Sequence, residues 1–317
     1  MAAELQERPR TYRAPRQVGG RGPMSRSGRR WTTALCFMAP ALVVLTAFVA
    51  WPMASALRTS LYESSGFGPS TWVGFDNYVT VFTDATFRRA LVNTAIYALL
   101  FTPVALVTAL SLALLVNNPR LPFRGLFRSA LFLPFIVSLA VAALAWNYLI
   151  DPQVGLLSYW LRGVGIQLGN VLEDPRLALP AVVLVAVWKS FGFYMIIFLA
   201  GLQDIPQSLY EAARVDGAGP VKRFRHVTLP LLGNTTTFVL IFALIAALQA
   251  FDQIYVMTQG GPFGATETVV TQIYETGFKE LDLGVASALS YVLLVATLLL
   301  SLGQFVMSSR RERDLGS

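Results

Sequence analysis

Six long apolar runs, set apart by short charged stretches, constrain this chain more than any other feature. Each is long enough to cross a bilayer as a helix, which takes about 18 or more apolar residues. They lie near residues 32–57, 90–116, 126–150, 177–202, 231–257 and 284–307. Only 14% of the 317 residues are charged and 55% are hydrophobic, whereas soluble domains carry about 25% charged residues. A large soluble core could also raise the apolar share, but it would not gather apolar residues into unbroken runs. The expected fold is an all-α membrane protein with six transmembrane helices, and lipid is its first partner. Pro40 and Pro52 in the first run do not argue against a span, because neighbouring groups re-satisfy freed carbonyls in membrane helices.

The basic residues give an orientation. The net charge is +7, yet the arginines fall at the two ends and in short loops. That pattern fits retention of Lys and Arg on the cytoplasmic side and not a nucleic-acid patch. Arg120, Arg124 and Arg128 follow the second run, and Arg214, Lys222, Arg223 and Arg225 follow the fourth. The alternate loops carry Glu63, Asp76 and Asp84, then Glu173 and Asp174, then Glu267, Glu275, Glu280 and Asp282. Both termini are therefore expected in the cytoplasm, which agrees with an even number of spans. Arg88 and Arg89 break the pattern and suit an interfacial helix. Residues 1–31 are rich in Arg, Pro and Gly and are expected to form a disordered cytoplasmic tail. Residues 32–307 form the membrane domain, and residues 308–317 a cytoplasmic C-terminal tail.

Several chemistries are excluded. Cys36 is the single cysteine and His226 the single histidine, so no disulfide framework and no thiol or imidazole metal cluster is available. No G-x-x-x-x-G-K-[ST] phosphate loop, G-x-S-x-G or H-E-x-x-H occurs. The chain is expected to hold no catalytic residue, no metal and no cofactor of its own.

The loop between the fourth and fifth runs, residues 208–230, reads "SLYEAARVDGAGPVKRFRHVTLP". It predicts two short helices joined by a turn. Ser208 suits an N-cap after Pro206. Gly217 and Gly219 suit a helix end, and Pro220 suits the first turn of the next helix. Val221, Phe224, Val227 and Thr228 share one face, and Pro230 ends the second helix. Ala212 and Ala213 leave a smooth surface for a partner, with Glu211, Arg214 and Asp216 at its rim.

This segment resembles the EAA loop of the inner-membrane permeases of bacterial binding-protein-dependent ABC importers. Glu211, Ala212, Ala213, Gly217, Val227, Leu229 and Pro230 match that pattern at every spacing, and Asp216 and Ala218 extend it. The segments 75–94, 257–262 ("MTQGGP") and 277–290 ("GFKELDLGVASALS") are similar to carbohydrate-uptake permeases of the MalF-like branch, and to the A-type permeases of glycerol-3-phosphate importers. The resemblance implies a type I importer permease fold in which the EAA loop is a cytoplasmic coupling helix. It implies a bacterial plasma (inner) membrane location. It also implies a second homologous permease subunit, two ATPase subunits that bind ATP and Mg, and an extracytoplasmic solute-binding protein. Glu211 would make a polar contact with the ATPase.

Two ionisable residues interrupt apolar runs, Lys189 and Asp252. Charges at such depth commonly mark a pathway, or serve helix packing. A solute path through Lys189, Tyr194, Gln249, Asp252 and Tyr255 follows, with rings for the apolar faces of a sugar, polar groups for its hydroxyls and Lys189 for an anionic phosphate. A secondary transporter or channel would also carry apolar spans and buried charges, but it would need no coupling loop. A membrane enzyme would need the catalytic motifs that are missing.

Overall fold

The computed structural model describes residues 26–166 and 169–315, so most of the expected N-terminal tail lies outside the described residues. Those residues fall into two units, divided between Ser55 and Ala56. The first contains α1 (Arg26–Leu45) and a wide turn at Thr46–Ala50; α2 (Trp51–Thr59) carries the helix onward. Helix α1 starts at Arg26, inside the segment expected to be tail.

In the second unit a two-stranded hairpin, β1 (Tyr62–Glu63) and β2 (Thr71–Trp72), leads to α3 (Asp76–Thr83) and the long α4 (Ala85–Asn117). Asp84 caps α4, accepting the N–H groups of Thr86 at 2.7 Å and Phe87 at 3.4 Å. Arg88 and Arg89 therefore sit in the opening turns of a span. Next come α5 (Arg124–Ile136), α6 (Leu139–Ile150), α7 (Leu156–Gly163) and α8 (Ala178–Asp204). The remaining helices are α9 (Gln207–Val215), α10 (Pro220–Arg223), α11 (Leu229–Leu231), α12 (Gly233–Leu248), α13 (Asp252–Met257), α14 (Val269–Tyr274) and α15 (Leu283–Leu315). Helix α15 runs through the expected C-terminal tail.

Among the described residues, four helices are long and apolar enough to cross a membrane unbroken, namely Cys36–Thr59, Ala85–Asn117, Ala178–Asp204 and Leu283–Met307. Two bent pairs bring the number to six. The third run is not one helix. It turns by 96° between α5 and α6, close behind Pro134, whose ring cannot donate to the helix ladder. The fifth run is bent by 68° before α12, and it unwinds at Ala250 before α13 begins. Asp252 therefore opens a separate short helix.

The core forms where α4 meets α8. Ala105, Ala109 and Ala113 are fully buried along one stripe of α4, and such small residues let helices approach closely. Val182, Met195 and Phe198 of α8 fill the facing side. A Cβ at Gly192 would run into the Leu131 carbonyl of α5, and one at Gly201 into the Thr235 side chain of α12. Gly192 thus serves close packing of α8 against α5. A smaller cluster of Val81, Val269, Val285, Ala288 and Leu289 joins α3, α14 and α15.

Candidate coupling loop and solute cavity

Local geometry builds the loop at residues 207–231. Helix α9 starts directly after Pro206, and no side chain caps it; Ser208 lies inside the helix and not at its cap. Its end is closed by two hydrogen bonds. Ala218 N–H donates to the Ala213 carbonyl at 2.9 Å and Gly217 N–H to the Arg214 carbonyl at 3.1 Å. Gly217 sits at φ +73°, the left-handed position this C-terminal motif requires. Gly219 is extended and Pro220 opens α10. A wide turn at Phe224–Thr228 follows, in which Leu229 N–H reaches back to the Phe224 carbonyl. That widening gives the Pro230 ring room, so the second helix continues through Pro230 to Leu231 and does not end at the proline.

The two halves are tied together by Tyr210 Oη and Thr228 Oγ1 at 3.0 Å. Glu211, Ala212, Asp216, Leu229 and Pro230 are exposed, and Ala213 and Ala218 half-buried. Glu211 and Arg214 form an exposed pair at 3.8 Å, the kind worth less than about 1 kcal/mol. The sequence reading missed Val215 and took Val221 only as part of the second helix's apolar face; the two flank the turn and are 89% and 79% exposed. Their signal was available, because two valines beside "DGAGP" have no core to join.

A cavity of about 180 Å³ lies where the fifth run unwinds. Gln249, Asp252 and Gln253 line it from one side, Tyr97 of α4 and Ser190 of α8 from others. Gln253 is 3% exposed. Its Nε2 donates to Tyr97 Oη at 2.7 Å, while its Oε1 has no hydrogen-bond partner. The structure brings Gln249 and Asp252 together here, with Lys189 within electrostatic reach of Asp252; Lys189, Tyr194 and Tyr255 do not themselves line the cavity. Lys189 points its Nζ at the Phe135 carbonyl, 3.0 Å away. Tyr194 is buried in the α4–α8 core. Tyr255 stacks on the far side of the lining, against Phe251 at 5.2 Å. Tyr97 was invisible in the sequence because nothing in an apolar run shows which face meets a break elsewhere. Among the described residues no group of His, Cys, Asp or Glu could hold a metal ion.

The family model described as "Binding-protein-dependent transport system inner membrane component" matches residues 83–312. The chain belongs to this family. It is the permease subunit of an ABC importer, a transport subunit that is not itself catalytic within an ATP-hydrolysing complex. Permease relatives support the assignment across most of the chain. The sn-glycerol-3-phosphate transport system permease protein UgpA of Yersinia pestis is 37% identical over 86% of this chain and 93% of its own length. The sulfoquinovosyl glycerol transport system permease protein SmoG of Agrobacterium fabrum is 38% identical over 82% of this chain and 85% of its own. The probable ABC transporter permease protein YurN of Bacillus subtilis is 36% identical over 84% and 93%. A bacterial ABC transporter that imports the acidic polysaccharide alginate contains a chain with a TM-score of 0.79 at 26% identity, covering 89% of this permease and 96% of that chain. The fold is the type I permease fold.

Proposed function

We propose that this permease forms half of the path for a sugar or glycerol-phosphate-type solute, beside a second, homologous permease subunit. The observation that carries the solute class is the cavity at Gln253. An amide oxygen with no partner at 3% exposure costs about 1–3 kcal/mol in desolvation. A solute hydroxyl donating to it would recover that loss. Asp252 and Gln249 offer further acceptors, and the Phe251 ring a flat apolar face. Two relatives named for glycerol-bearing solutes, glycerol phosphate and sulfoquinovosyl glycerol, point to the same polyhydroxy chemistry.

The loop at 207–231 is the ATPase contact in this reading. Its exposed valines and Ala212 would pack against one of two ATPase subunits, with Glu211 reaching a polar or basic group there. ATP and Mg bind to those subunits, and their closure is passed through α9 into the spans. The loop and both termini face the cytoplasm, and an extracytoplasmic solute-binding protein delivers from the other side. A neighbour solved with a periplasmic protein carrying an alginate pentasaccharide is a precedent for such delivery.

Two measurements test this. Cysteines introduced at Val215 and Gly219 in a Cys36-free chain should label only from the cytoplasm, and cysteines at Ser70 and Val154 only from outside. Purified with its ATPase, the permease should show ATPase stimulated by a loaded binding protein over a panel of sugars and glycerophospho-compounds. External labelling of Val215, or copurification with no ATPase, defeats the reading.

A further inference from the structure

Residues 60–84 join a span that ends at Thr59 to one that begins at Ala85, so both ends of this connection lie at the membrane surface. Its helix α3 (Asp76–Thr83) is separated from α4 by Asp84 alone, which is extended at ψ 137°. That residue breaks the helix, and α3 is an element of its own and not the start of the span. Three side chains fix how α3 is turned about its axis. Asn77 is 7% exposed and donates from Nδ2 to the Ser60 and Tyr62 carbonyls, both at 2.9 Å. Tyr78 Oη and Ser60 Oγ share a hydrogen bond of 2.8 Å. Val81 is fully buried among Val269, Val285, Ala288 and Leu289.

With Asn77 and Val81 turned to the protein, helical spacing leaves two other faces. Asp76, Thr80 and Thr83 make one, polar and exposed. Phe75, Val79 and Phe82 make the other, and they are 72%, 56% and 55% exposed. Water is a poor solvent for such a face, so it calls for a cover. Depth narrows what the cover is. The apolar run of α4 starts at Ala90, and the helix from Ala85 to Ala90 rises about 7.5 Å, which is the thickness of one headgroup layer. Helix α3 therefore ends at the level of the headgroups. Arg88 is exposed within that layer, a cation at the depth of the lipid phosphates. A membrane surface covers only the apolar face and leaves the adjoining polar face in water, which is the division of residues that α3 shows.

We infer that α3 is an in-plane membrane anchor. Phe75, Val79 and Phe82 lie at the boundary of headgroups and acyl chains, Asp76, Thr80 and Thr83 face water, and Arg88 meets the lipid phosphates. That the leaflet is the outer one rests on the proposed orientation; the lipid contact itself does not. Asn77 ties the anchor to the chain leaving α2, and Val81 ties it to α14 and α15. The anchor thereby sets the height of the α14–α15 corner against the lipid surface.

The test uses the complete transporter, with its partner subunits and solute-binding protein, in nanodiscs of phosphatidylethanolamine and phosphatidylglycerol. Photoreactive benzoylphenylalanine replaces Phe82 in one sample and Thr80 in another. After irradiation, mass spectrometry of the permease should show the added mass of one phospholipid at position 82 and none at position 80. An adduct to a protein at position 82, no lipid adduct there, or equal lipid adducts at both positions overturns the anchor. A second measurement labels Thr80→Cys, in a Cys36-free chain, with a membrane-impermeant maleimide in spheroplasts. Labelling from outside is expected. Labelling only after the cytoplasmic side is opened overturns the orientation and the outer leaflet with it, while a lipid adduct at position 82 keeps α3 in the membrane plane.

Discussion

Lys189 Nζ donates to the Phe135 carbonyl at 3.0 Å and lies 4.5 Å from the centre of the Phe135 ring. Phe135 is the penultimate residue of α5, so the break that follows leaves its carbonyl without a helical donor. The amine of α8 supplies one, and the Phe135–Phe193 stack at 4.7 Å holds the same contact. This gives the half-buried charge a structural partner at the 96° corner.

Replacing Lys189 should therefore loosen that corner before it changes solute choice. Lys189→Met removes the donor and keeps the length, and leaving the carbonyl unpaired costs about 1–2 kcal/mol. The thermal midpoint of the detergent-solubilised complex should fall, and uptake of neutral and anionic compounds should fall together. Lys189→Arg should restore much of both. Selective loss of anionic uptake at an unchanged midpoint would return Lys189 to the solute path.

At the coupling loop, two substitutions separate shape from surface. Gly217→Val forces a β-branched residue to φ +73°, at a cost of about 1–2 kcal/mol, and should misdirect α10. Val215→Asp changes an 89% exposed side chain and should leave stability within about 0.5 kcal/mol. Both should lower ATPase retention during copurification, and uptake with it. Full retention in Val215→Asp would show that this valine does not meet the ATPase.

In the cavity, Gln253→Leu removes an unpaired buried oxygen along with the bond to Tyr97. Stability should fall by no more than about 1–2 kcal/mol, because the buried Tyr97 hydroxyl loses its partner while the unpaired Gln253 oxygen is removed. Uptake should fall about tenfold or more, the effect of losing one buried polar contact to solute of about 1.4 kcal/mol. A variant that transports normally would remove the cavity from the route.

The pH response should carry a contribution from Glu267, in the loop before α14. Burial raises its carboxyl above the usual range, against the Gln272 amide and the Arg89 guanidinium, which lower it. The folded chain thus binds this proton more tightly than the unfolded chain. The favourable contribution is complete below the ordinary glutamate pKa and is lost as pH rises through the folded pKa. Glu267→Gln should therefore gain thermal midpoint relative to wild type at neutral pH, and the difference should shrink on acidification. A difference that grows toward acid would refute the assigned direction.

The spans and the loop were legible in the sequence because both rest on short-range physics. An apolar run of sufficient length marks a membrane helix wherever it lies. A glycine after "EAARVD" closes a helix with bonds to residues only three to five positions back. The two broken spans were not legible, since composition carries them straight through Pro134 and Ala250. Whether a break survives depends on donors supplied by other helices, as Lys189 does for Phe135. The cavity was half legible for the same reason. Asp252 and Gln249 stood out as polar residues in an apolar run, but Tyr97 is 156 residues away from Gln253 in sequence. Only the packing of α4 against the unwound segment decided that the two would meet, and left one oxygen of Gln253 unpaired.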